Sequence, residues 1–121
     1  MGIVANVTIG LVIALQSYFL ILEMFLWETP KVRKAFGFTK EFAKESATLA
    51  KNQGLYNGFL AAGLVWGLLA SNPEQGMSIK VFFLSCVLVA GVYGAATANK
   101  RILFVQALPA LIALLLVLWT L

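Results

Sequence analysis

The sequence predicts an all-α integral membrane protein: a four-transmembrane-helix bundle with a cytoplasmic interfacial helix between helices 1 and 2. Three observations carry that reading. Of 121 residues, 61% are hydrophobic and 12% charged, against about 45–50% and about 25% in soluble domains. The apolar residues gather in four stretches, at about 2–27, 53–71, 79–98 and 102–120. About 20 residues at 1.5 Å rise cover a hydrocarbon core of about 30 Å. Finally, the basic residues collect in two of the three connections. Barrel strands would run about ten residues and alternate in polarity, which these stretches do not. The chain is expected to form a single integral membrane domain over residues 1–121.

Helix 1 lacks a basic n-region and an A-x-A-like cleavage site, so it reads as a retained helix and not as a signal peptide. Thr29-Pro30 stops it, and Gly37 breaks the chain again. Thr39 is placed to cap a short helix over about 39–51, with Phe38, Phe42, Ala43, Leu49 and Ala50 as a rough apolar stripe. Lys40, Lys44 and Lys51 flank the stripe, which suits a helix lying at the membrane surface near anionic lipid. Helix 2 has the shortest apolar core, Gly54 to Ala70, and spans when Lys51, Asn52 and Gln53 lie at the interface. The Asn72-Pro73-Glu74-Gln75-Gly76 turn leads into helix 3, and Asn99-Lys100-Arg101 separates helix 3 from helix 4. Pro109 is expected to kink helix 4, because it removes a donor and crowds the carbonyl four residues earlier.

Six basic residues (Lys31, Arg33, Lys34, Lys40, Lys44, Lys51) fall between helices 1 and 2, and two (Lys100, Arg101) between helices 3 and 4. The opposite side keeps only Lys80. The positive-inside rule then predicts a multi-pass protein of the cytoplasmic (inner) membrane with both termini outside the cytoplasm. Trp27 at one face and Trp66 and Trp119 at the other suit interfacial belts.

Polar groups within the spans are costly and mark function by default. Here they sit in the cytoplasmic half: Glu23 in helix 1, Gln53 and Asn57 one turn apart in helix 2, Tyr93 and Thr97 in helix 3, Gln106 in helix 4. Gln16 lies seven residues before Glu23, on the same helix face. Two interpretations stand side by side. One is a cytoplasm-facing cleft for a small ligand, with Glu23 as its charged floor and Tyr18 and Tyr93 as aromatic walls. The other is an interhelical hydrogen-bond network that only joins helices, each bond contributing about 0.6 kcal/mol. Gly54, Gly58 and Ala62, with Gly63 and Gly67, and Ala90, Gly94 and Ala98, with Gly91 and Ala95, form small-xxx-small stripes. These suit close helix packing within the bundle or, alternatively, a homo-oligomer interface.

What is missing excludes much. The chain has no histidine and no aspartate, and Cys86 is its one cysteine. A Ser–His–Asp or Cys–His nucleophile cannot be built, and no metal site, cofactor or internal disulfide is expected. Cys86 reads as an apolar filler.

Leu22-Glu23-Met24-Phe25-Leu26-Trp27, Thr29-Pro30, Arg33-Lys34-Ala35-Phe36-Gly37, Asn52-Gln53-Gly54-Leu55-Tyr56-Asn57-Gly58, Tyr93-Gly94-Ala95-Ala96-Thr97 and Gln106 near Pro109 together resemble a bacterial family of small integral membrane proteins, domain of unknown function 1304. The resemblance covers essentially the whole chain. It implies a four-helix protein of the bacterial cytoplasmic membrane and implies no activity. Relatives often carry histidine where this chain has Gln16, so any His–Glu proton chemistry in them does not carry over.

The leading functional expectation is binding or transport of a small hydrophobic or amphiphilic ligand, Glu23 being the counter-charge for a cationic one. Gln16, Tyr18, Gln53, Asn57, Tyr93, Thr97 and Gln106 are the other nominated site residues. The first alternative is a structural or accessory membrane protein without ligand. The second is a membrane-embedded lipid-modifying enzyme, with Glu23 as acid or base and Tyr93 as helper. A single buried carboxylate is thin equipment for that chemistry, so no catalytic residue is assigned. The expected partners are the lipid bilayer and a small amphiphile or lipid, and no nucleic acid.

Overall fold

A computed structural model describes residues 2–97 and 103–120. Every regular element among them is helical: α1 (Gly2–Phe25), α2 (Pro30–Phe36), α3 (Lys40–Leu69), α4 (Pro73–Thr97), a π-helical turn (Leu103–Ala107) and α5 (Leu108–Trp119). α1 packs on α3, α3 on α4, α4 on the π-turn and α5, and α5 back on α1. Two helices, α1 and α4, are long and apolar enough to cross a membrane, and Phe104–Trp119 forms a shorter apolar helix. The Asn99-Lys100-Arg101 connection and Ala98 lie outside the described residues.

Local chemistry explains the punctuation. Thr29 caps α2: its hydroxyl accepts from Val32 N at 3.4 Å and donates to Leu26 O at 2.7 Å. Pro30 takes the first helical position, where no amide donor is missed. Gly37 closes α2 in the left-handed conformation, φ 74° and ψ 27°, which glycine enters without a Cβ clash. Thr39 then caps α3, its hydroxyl accepting from Phe42 N at 3.0 Å. Asn72 caps α4, its Oδ1 accepting from the amides of Glu74 (2.9 Å) and Gln75 (3.2 Å). With that cap and Pro73 behind it, α4 begins at Pro73, where the sequence suggested a turn before Ile79.

α3 differs from its sequence expectation. The short helix foreseen at about 39–51 and the span beginning near 53 are one continuous helix from Lys40 to Leu69, about 45 Å at 1.5 Å per residue. Lys51-Asn52-Gln53-Gly54 contains no proline, and Gly54 serves close approach instead of a break. A Cβ there would meet Met24 Cγ at 2.7 Å and Leu20 O at 3.1 Å. The foreseen apolar stripe also divides. Ala43, Ala47 and Ala50 are buried, while Phe42 and Leu49 face outward.

Three other glycines of the stripes are likewise occupied within the chain. A Cβ on Gly63 would run into the Phe83 ring, one on Gly67 would crowd Lys80 and Ile79, and one on Gly91 would lie 2.7 Å from Ala107 N. Pro109 follows the π-turn, whose Val105 carbonyl is the group its ring would crowd. The disturbance is absorbed as five-residue π geometry ahead of the proline.

The core is a cluster of Ala5, Ile9, Val12, Leu64, Leu84, Val87, Ala110, Ala113 and Val117. It lies toward the end where Lys80 Nζ donates to Asn6 Oδ1 at 3.2 Å. Large apolar side chains also cover much of the exterior, among them Ile3, Val7, Leu69, Phe82, Val89 and Phe104.

Candidate functional site

At the opposite end, α1 and α3 are joined by polar side chains. Asn57 is buried on α3 and faces two residues of α1. Its Nδ2 donates to Glu23 Oε1 at 2.5 Å, and its Oδ1 accepts from Gln16 Nε2 at 3.3 Å. Gln16 is 1% exposed, and its Oε1 has no hydrogen-bond partner. The heptad spacing of Gln16 and Glu23 is what lets one amide bridge both. Close approach of the helices, through Gly54 against Met24 and Gly58 against Leu20, brings Asn57 within reach.

Glu23 and Asn57 also line a cavity of about 380 Å³, with Phe19, Leu22, Trp27, Phe36, Phe38, Gln53, Ala90, Gly94 and Gln106. All the long helical segments contribute. Ala90 and Gly94 of α4 put one methyl group and bare backbone into the lining, and Gln106 of the π-turn joins them there. The turn after α1 supplies an aromatic wall. Trp27 lies 4.9 Å from Phe38 and 5.9 Å from Phe36 between ring centroids, and Phe36 stacks on Phe38 at 5.4 Å and 15°. The indole N–H of Trp27 donates to Ser46 Oγ at 2.9 Å, tying this wall to α3. The αL turn at Gly37 is what folds Phe38 back against Phe36.

A second cavity, about 600 Å³, lies alongside and is lined by Tyr18, Phe19, Leu22, Leu26, Thr29, Lys31, Val32, Ala35, Phe36 and Val105. Phe19, Leu22 and Phe36 line both cavities and so form the wall between them. Among the described residues no cluster of His, Cys, Asp or Glu is arranged to hold a metal.

Of the residues nominated from sequence, Glu23, Gln53, Asn57 and Gln106 meet at one cavity, and Gln16 stands behind it, bonded to Asn57. Tyr18 faces the second cavity and is half exposed. Tyr93 points outward, 70% exposed, and Thr97 donates to its backbone carbonyl at 2.8 Å, so neither joins the group. Lys40, Lys44 and Lys51 are exposed along the first half of α3. The aromatic walls are therefore Phe19, Trp27, Phe36 and Phe38 in place of the two tyrosines. Part of this was visible in the spacing: Phe19 and Glu23 stand four residues apart on one face of α1, and Trp27 follows in the turn just after it.

Helices with an apolar exterior and a polar pocket between them define a class of small, all-α, apolar proteins. More particularly, the chain belongs to the family described as "Protein of unknown function (DUF1304)", whose model matches residues 10–118. It is similar to "Uncharacterized protein YpaA" of Lactococcus lactis subsp. lactis, 30% identical over 115 residues, covering 93% of this chain and 95% of that one. No solved structure matches.

Proposed function

We propose that the chain is a multi-pass protein of the bacterial cytoplasmic membrane, a four-transmembrane-helix bundle that binds a small amphiphilic ligand in the Glu23 cavity, for storage or transport. α1, the apolar part of α3, α4 and the π-turn with α5 are the four spans of this reading. Their outward-facing large apolar side chains favour lipid as the surroundings. The eight-to-one division of basic residues favours termini outside the cytoplasm and the cavity on the cytoplasmic side.

One observation carries the ligand reading: a cavity of about 380 Å³ in which a carboxyl group and three amides share walls with four aromatic rings. Ligand pockets combine apolar walls with a few orienting polar groups in this way. The test is native mass spectrometry of the chain purified in mild detergent. A defined small molecule should co-purify, and filling the cavity with Ala90→Phe should remove it while helical circular dichroism stays unchanged. Retention of the same molecule by Ala90→Phe would overturn the assignment to this cavity.

A second reading has an observation of its own. The Gln16–Asn57–Glu23 hydrogen bonds join α1 to α3, which supports a structural or accessory role without ligand. On that reading no molecule co-purifies, and Asn57→Leu weakens the fold without any other consequence. The lipid-modifying enzyme has no comparable support, since Tyr93, its helper, stands away from Glu23.

A further inference from the structure

We infer that the ligand is an organic cation with an apolar tail, its ammonium head in the Glu23 cavity and its tail crossing into the larger apolar cavity beside it. The inference rests on the ligand reading above and gives that ligand a charge and a shape. Three features support it.

The first is charge. Glu23 is the ionisable group among the described residues lining the smaller cavity, and the amides beside it are neutral. One Glu23 oxygen accepts from Asn57, and a carboxylate has acceptor capacity for further donors or a cation. The second is the aromatic wall. Phe19, Trp27, Phe36 and Phe38 line the same space, with Trp27, Phe36 and Phe38 packed within 4.9 to 5.9 Å of one another. Ring faces attract a desolvated ammonium, and aromatic-lined pockets recognise methylated ammonium groups. An anion would meet both the carboxyl group and the negative ring faces.

The third is adjacency. The apolar cavity of about 600 Å³ shares Phe19, Leu22 and Phe36 with the smaller one. Its lining is mostly hydrocarbon, with Tyr18, Thr29 and the cationic Lys31 as its polar members, so the tail and not the head belongs there. An alkyl tail leaving the cage past these side chains enters apolar surroundings at once. An ammonium head of this type could belong to a free amphiphile or to a choline-headed lipid.

The experiment reads Trp27, which lines the cage, by fluorescence in a Trp66→Phe, Trp119→Phe background in maltoside micelles. The probes are butyl-, hexyl- and octyltrimethylammonium, with 2,2-dimethyloctane as the uncharged isostere of the hexyl compound. Saturable binding of the cations should be at least tenfold tighter than that of the isostere. Glu23→Gln should weaken hexyltrimethylammonium about tenfold and leave the isostere unchanged, and Phe38→Leu should weaken the cation to a lesser degree. Affinity should rise with chain length, by up to about fourfold per methylene. Ala35→Phe, which fills the apolar cavity and adds no second indole, should flatten that rise relative to the parent chain. Dihexanoylphosphatidylcholine binding with the same Glu23 dependence identifies a lipid head as the source, while its failure beside bound cations identifies a free amphiphile. Equal affinity for cation and isostere, in parent and Glu23→Gln alike, would refute the cationic assignment and leave the amphiphile reading standing. Saturation by neither class would remove both. A chain-length dependence unchanged by Ala35→Phe would refute the bipartite arrangement.

Discussion

The two ends of this molecule are built from the same helices and solve different problems. At the Lys80 end, Ile9, Val12, Leu64, Leu84 and Val87 are at most 1% exposed and fill the space between α1, α3, α4 and α5. At the Glu23 end the same segments stand around two cavities, and α1 meets α3 through glycines and an asparagine. Within a bilayer, helices gain little from the hydrophobic effect and associate through packing and hydrogen bonds. One end relies on packing, so its side chains interdigitate. The other relies on a few polar contacts, which leave room for something else.

Large-to-small substitutions at each end put this contrast to its strongest test. Leu84→Ala, at a fully buried site, should cost about 3 kcal/mol. Leu22→Ala, whose side chain already borders two cavities, should cost about 1 to 2 kcal/mol. Reversible unfolding of the purified chain in mixed micelles measures both. Equal losses would mean that the Glu23 end is as tightly packed as the other.

Next come the glycines. Gly91→Ala places a Cβ within 2.7 to 2.9 Å of Ala107 N, Cβ and Cα, so main chain must move. That should cost about 2 kcal/mol, in the range of overpacked cores. Gly58→Ala meets only Leu20, and the nearest atom is the terminal Cδ1, which can swing aside. It should fall below about 1 kcal/mol. The same unfolding assay should rank them in that order, and a reversed ranking would argue against close packing of α4 on the π-turn.

How much of this was legible beforehand follows from which signals are local. Depth alone groups Glu23, Gln53, Asn57 and Gln106, which do meet. It also groups Tyr93 and Thr97 with them, which do not, because depth does not say which way a side chain faces around its helix. The continuity of α3 was not legible: its composition changes from charged to apolar at Gln53-Gly54, which imitates a boundary. Gly54 is there because Met24 and Leu20 approach it, a tertiary fact with no sequence mark. Proline chemistry signalled a disturbance near Pro109, yet not its form as a π-turn. Phe36 and Phe38 reach the cavity through the αL turn at Gly37. In the sequence Gly37 marks a break, and a break does not say where the chain goes next.

Asn57→Ala tests the polar contacts that replace packing. It removes hydrogen bonds to both Gln16 and Glu23. At about 0.6 kcal/mol each on average in a bilayer, the pair predicts a loss of about 1 kcal/mol. A loss as large as that of Leu84→Ala would show that this end is held by its polar groups as firmly as the other is by its packing.

The smallest expected effect on stability is that of Glu23→Gln, and it is the most informative. Glutamine keeps the length and branching of glutamate. Its Oε1 can still accept from Asn57 Nδ2, so the bridge between α1 and α3 survives, and unfolding should shift by less than about 0.5 kcal/mol. What the substitution removes is the capacity for charge at the cavity. If the cavity holds a cationic amphiphile, the co-purifying molecule should be lost from a protein that is otherwise as stable as its parent. If Glu23 serves only to join helices, the variant should be silent in every assay, ligand content included. A third outcome, stability and ligand lost in parallel, would mean that the carboxyl group is needed for the fold in a way the Asn57 contact does not explain. Glu23→Leu separates these cases. It abolishes the acceptor as well as the charge and strands the Asn57 amide in the cavity wall. Its stability should therefore fall toward that of Asn57→Ala, while its ligand loss should match that of Glu23→Gln.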